Sequence, residues 1–77
     1  MRNSVLAITN YRNPEEHIVE GVEIVCRIDL YINKDNRSAA SIKKELRGWE
    51  EVRKCSNIAF NLKIMGEEEW YEYFKNQ

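Results

Sequence analysis

Val22-Glu23-Ile24-Val25-Cys26-Arg27-Ile28-Asp29-Leu30-Tyr31-Ile32-Asn33 is the stretch that decides the fold class. Val22, Ile24, Cys26, Ile28, Leu30 and Ile32 take every second position, with Glu23, Val25, Arg27, Asp29, Tyr31 and Asn33 between them. Successive side chains of a strand point to opposite faces, so this period of two predicts one long strand with a buried face. Ile58, Phe60, Leu62 and Ile64 alternate with Ala59, Asn61, Lys63 and Met65 in the same way and predict a second strand. Such alternation implies a sheet covered on one face and open on the other.

Upstream, Val5 to Tyr11 reads as a shorter strand, with Leu6 and Ile8 on one face and Val5, Ala7, Thr9 and Tyr11 on the other. The pattern does not decide which of these faces is buried. In the segment that follows, Asn13 suits a helix N-cap, Pro14 the first helical position and Glu16 the capping-box acid. Gly21 suits a terminator, so this segment is either a turn or two of helix or a wide loop.

Downstream, Asn33-Lys34-Asp35-Asn36 is a turn cluster, and Ala39, Ile42, Leu46 and Trp49 then fall on one helical stripe. Ser38 or Asn36 suits the cap. Gly48 is one stopping point, but the stripe runs on to Val52 before Arg53 would enter it, so the expected helix spans 38–52. In the tail, Glu67, Glu68 and Glu69 sit where a helix dipole favours acids, with Lys75 at the other end. Trp70, Tyr73 and Phe74 share one face of that short helix; a strand is the competing reading. The order β-β-α-β-α makes an α+β fold: a small two-layer sandwich of about three strands, with one main helix on one face and a short C-terminal helix. The expectation is a single domain over residues 1–77.

Of the 77 residues, 43% are hydrophobic and 32% charged, values that exclude global disorder. A chain of this size buries only about 60% of its unfolded surface, so a partner or a second copy would relieve a marginal core. No apolar run is long enough to cross a membrane, and the first ten residues lack a signal peptide's apolar stretch. The expected location is therefore the cytoplasm, with Cys26 and Cys55 as free thiols. The net charge of −1 hides a segregation, because residues 34–63 are net basic and both ends are net acidic.

His17 is the sole histidine, and Glu16, His17 and Glu20 share a turn without a fourth ligand elsewhere. That is a solvated turn rather than a metal cage. Gly21, Gly48 and Gly66 are isolated, so no phosphate loop exists. The expectation is a non-enzyme without cofactor or metal.

Two surfaces could carry binding. Lys43, Arg47 and Lys54, with Lys44 nearby and Lys34 and Arg37 ahead of the helix, form a basic flank able to neutralise phosphates. Arg27, Tyr31 and Lys63 on the open sheet face could clamp a single strand of nucleic acid. The tail offers the other surface. Trp70, Tyr71 and Tyr73, rimmed by Glu67, Glu68 and Glu69 and joined by Tyr31, suit a protein partner with a basic surface.

Ile42-Lys43-Lys44-Glu45-Leu46-Arg47-Gly48-Trp49-Glu50-Glu51-Val52-Arg53 resembles the helix-to-strand segment of HicA-type RNase toxins. A histidine follows shortly afterwards in that family, whereas Cys55-Ser56-Asn57-Ile58 stands here. The resemblance therefore implies no toxin activity, only a fold in which Trp49 to Lys54 is a strand. The leading expectation is a protein-binding regulator or inhibitor. By analogy of class it belongs with small phage and mobile-element proteins that block host nucleic-acid-handling defences. A nucleic-acid-binding domain is the competing expectation, and a homodimer joined through the open sheet or a strand edge is the structural one.

Overall fold

The computed structural model describes residues 3–75. Strand β1 (Ser4–Asn10) leads through a 3-10 turn (Pro14–Glu16) to a small hairpin of β2 (Ile18–Val19) and β3 (Val22–Glu23). Then come β4 (Cys26–Asn33), a second 3-10 turn (Lys34–Asn36), helix α1 (Ala39–Arg53), β5 (Ile58–Met65) and helix α2 (Glu67–Phe74). The fold is mixed α+β: a three-stranded sheet in the order β1-β4-β5, a separate two-stranded hairpin, and two helices.

β4 is the central strand, antiparallel to β1 and parallel to β5. A parallel pair needs a crossover, and α1 supplies it. Its first turn is capped by Ser38, whose side chain accepts the backbone N–H of Ser41 at 3.2 Å. The helix runs through Gly48 and on to Arg53, so Trp49 to Arg53 is helical and the strand implied by the toxin resemblance is absent. Register sets the faces. Leu6, Leu30 and Leu62 lie abreast, as do Ile8, Ile28 and Phe60, and α1 packs on this face with the Trp49 ring 5.1 Å from Phe60. Leu30 and Ile32 form the buried centre.

The long strand expected over 22–33 is divided. Glu20 and Gly21 both adopt positive φ, 52° and 79°, which turns the chain back so that Val22 pairs with Val19. Positive φ at both central residues is the two-residue hairpin geometry whose twist matches the strands. Ile24 and Val25 then donate their N–H groups to His17 and Asn57, at 2.9 and 2.8 Å, instead of extending β4. Alternating residues before the break therefore report two strands with one period.

The face opposite α1 is not open along its whole length. α2 folds over the end of it that holds Tyr31 and the completely buried Met65, while Asp29 is mostly enclosed and bonded to Arg27. Both residues were expected on the open face. Met65 is covered because the turn at Gly66 reverses the chain directly after β5, which alternation within β5 cannot show.

Candidate protein-binding surface

Tyr31 and Lys63 sit directly opposite each other on β4 and β5, on the face away from α1. α2 is anchored over them by aromatic contacts. The Tyr73 and Tyr31 hydroxyls are hydrogen-bonded to each other at 3.0 Å, and their rings are 5.1 Å apart. Phe74 meets Tyr31 edge-on at 5.6 Å and Trp70 at 4.7 Å. Tilted and edge-on pairs of this kind contribute about 0.5–1.5 kcal/mol each beyond the area they bury. Trp70, at 5% exposure, belongs to the core and not to the surface expected of it.

The N-terminus of α2 is held by a residue distant in sequence. Gly66 offers no side-chain cap, and the Asp35 carboxylate instead accepts the backbone N–H of Glu67. Asp35 is itself positioned by Asn33, whose buried side-chain oxygen accepts the Asp35 N–H at 3.1 Å. A Cβ at position 66 would stand 3.4 Å from the same Asp35 carboxylate, an ordinary van der Waals contact. Lys63 adds an ion pair to Glu69 at 3.0 Å, tying β5 to the first turn of the helix.

What α2 presents outward is Tyr71, the part of Tyr73 not packed on Tyr31, and an acidic rim. Tyr71 is 58% exposed and Tyr73 41%, and a shallow cleft of about 190 Å³ lies between Trp70, Tyr71, Phe74 and Lys75. Glu67, Glu68, Glu69 and Glu72 are exposed around them. The proton of Tyr31 is held firmly. The hydrogen bond with Tyr73, then burial, push its phenol from 10.0 up to about 12. Tyr31 is therefore neutral at ordinary pH, and the glutamates keep a negative excess although Glu69 is paired with Lys63 and Glu72 with Lys75.

The basic candidates are not gathered on one surface. Arg37 is folded in: its side chain is 10% exposed, with Nη1 3.1 Å from Glu45 Oε1 and Nη2 2.5 Å from Ser41 Oγ. The Nη1 approach to Glu45 is an ion pair without hydrogen-bond geometry. Arg27 engages both carboxylate oxygens of Asp29 at 3.0 Å through Nε, and this carboxylate raises the already high pKa of the guanidinium. Lys43, Lys44, Arg47 and Lys54 are exposed along α1 and its end, on the opposite side of the sheet from Arg27, Tyr31 and Lys63. Lys34 is exposed in the 3-10 turn beside Asp35.

Three features were not read from the sequence. The Asp35 cap spans a long separation, and no local pattern marks it. The Arg27–Asp29 pair joins residues two apart on one strand face, a spacing the alternation contains without marking it as a pair. His17 stacks on Tyr11, ring centroids 3.7 Å apart and nearly parallel at 8°. Among the described residues no cluster of three or more His, Cys, Asp or Glu could hold a metal ion, and Cys26 and Cys55 are free thiols. No helix among them is long and apolar enough to cross a membrane. Compared with known protein families, curated proteins and solved structures, the chain matches none.

Proposed function

We propose that this chain is a non-enzymatic protein-binding module, a regulator or inhibitor, that meets its partner through the outer face of α2. The observation that carries the reading is the exposure of Tyr71 and Tyr73 on a helix whose other aromatics, Trp70 and Phe74, are packed inward. Tyrosines with fixed neighbours present large contact area at little entropic cost, and interfaces are enriched in them. The glutamates around them favour a basic partner surface, as found on proteins that handle nucleic acid, and steer its approach. A host defence protein blocked by a phage or mobile-element product is the concrete form of that partner.

The experiment is capture from source-cell lysate on the immobilised chain, with and without nuclease, comparing the natural sequence with Tyr71→Ala. A specific protein retained after nuclease and lost with Tyr71→Ala is the expected result. Loss of every partner on nuclease treatment would overturn it, as would hydrolysis of a nucleic acid by the purified chain.

A further inference from the structure

β1 is an edge strand, and its free edge is unprotected. Among the described residues its only strand neighbour is β4, and from Asn3 to Tyr11 the sequence carries neither a charged residue nor a proline. Natural edges are normally blunted by one of these, or by a bulge, because unpaired N–H and C=O groups template further strands. The β1–β4 register runs without interruption from Ser4 to Asn10, so no bulge is present.

Which groups face outward follows from the two ends of the ladder. Asn3 O accepts from Asn33 N at 2.9 Å, and Tyr11 N donates to Val25 O at 3.0 Å. Odd-numbered residues therefore direct their backbone groups at β4. By alternation, Ser4, Leu6, Ile8 and Asn10 direct theirs outward. The same even-numbered set puts Leu6 and Ile8 on the face that α1 covers over β4 and β5 but leaves uncovered over β1, and they are 54% and 57% exposed. One strand thus offers open hydrogen-bonding groups and open aliphatic side chains at the same two residues.

We infer that two copies of this chain join through antiparallel pairing of β1 with β1, about a twofold axis at Ala7. The occupant is a second copy because the strand is complementary to itself. In the register centred on Ala7, Leu6 pairs with Ile8 of the second copy and Ile8 with its Leu6. Ser4 and Asn10 pair likewise, so every outward-facing group in the strand is used, about eight inter-chain hydrogen bonds. The two Ala7 residues meet at a non-hydrogen-bonded position, where Cα atoms approach to about 4.5 Å and a small side chain fits best. No like charges oppose one another within the paired strand, and the four aliphatic side chains cluster on one face of a continuous six-stranded sheet. The interface leaves the outer face of α2 free, so it stands independently of the protein-binding reading.

The test is sedimentation equilibrium over a concentration series, with amide hydrogen exchange on the natural chain. The mass should rise from 9.2 kDa toward twice that value. The N–H groups of Leu6 and Ile8 should gain protection in step with it. Ile8→Lys places a charge at the centre of the aliphatic cluster, and Ile8→Pro removes an outward N–H without touching the bonds to β4. Both should hold the monomer mass with an unchanged far-ultraviolet circular dichroism spectrum. A chain that stays monomeric throughout overturns the inference. So does a dimer in which Leu6 and Ile8 amides exchange freely, or one that persists in folded Ile8→Lys. Should both variants fail to fold, the amide protection of the natural chain decides alone.

Discussion

Asp35, in the turn after β4, caps the helix that begins at Glu67, after β5, with its side-chain carboxylate accepting the Glu67 backbone N–H. This contact links the two ends of the β4-α1-β5 crossover and, with the Tyr31–Tyr73 and Lys63–Glu69 contacts, holds α2 against the sheet. The cap also places a negative charge at the positive end of the α2 dipole.

Asp35→Ala should lower stability by about 1 kcal/mol, the usual consequence of losing an N-cap acceptor. For a domain of this size that is a fall in Tm of about 4–8 °C. Asp35→Asn keeps an acceptor and should lose less. Thermal unfolding followed by circular dichroism checks both, and equal losses for the two variants would show that the cap is not the cause.

The Tyr31 phenol should resist ionisation until about pH 12, whereas Tyr71 is exposed to solvent. A folded-state pKa above the ordinary 10.0 means that the folded chain holds this proton more tightly than the unfolded one. The stability it confers is complete below pH 10.0 and is lost as pH rises through about 12. Tyr73→Phe removes the hydrogen bond and should bring the Tyr31 transition back toward the ordinary value. Near-ultraviolet phenolate absorbance reads the transition directly, and an unmoved curve in Tyr73→Phe would contradict the assignment.

Glu20 occupies a left-handed position that glycine and asparagine adopt more readily than glutamate. Glu20→Asn should therefore raise stability by a few tenths to about 1 kcal/mol, while Gly21→Ala should lower it by about 1–2 kcal/mol. A Cβ at position 21 meets nothing within 4 Å, so the loss comes from the backbone alone. Urea unfolding of the two variants gives opposite shifts in midpoint.

Leu30 is buried at the centre of the sheet, and Leu30→Ala should cost about 2–5 kcal/mol through lost transfer energy and an unfilled cavity. In a domain of marginal stability that is enough to populate the unfolded state at 25 °C. Leu6→Ala on the neighbouring strand removes the same atoms from a position exposed in the single chain and, at concentrations where the chain is monomeric, should cost far less. Parallel denaturation curves of the two variants check the difference.

Periodicity made the elements legible. A period of two placed β4 and β5, a stripe at Ala39, Ile42, Leu46 and Trp49 placed α1, and acids followed by aromatics placed α2. These are local properties, set by how side chains project from a strand or a helix. The division of the long strand at Ile24 and Val25 escaped that reading, because a hairpin and the strand after it share one alternation.

The binding surfaces were legible only as sets of residue types. That Tyr71 faces outward and Tyr73 stays partly exposed while Trp70 is enclosed depends on how α2 lies over Tyr31. The inward folding of Arg37 depends on Glu45 and Ser41 coming within reach once the helix forms. The sequence by itself determined the three strands of the main sheet and the two helices to within a few residues, and which residues can be buried. Tertiary structure decided which faces stay open, because exposure is settled by what packs across from a residue. That neighbour is brought there by turns, strand order and caps between positions far apart in the chain, none of which a local period encodes.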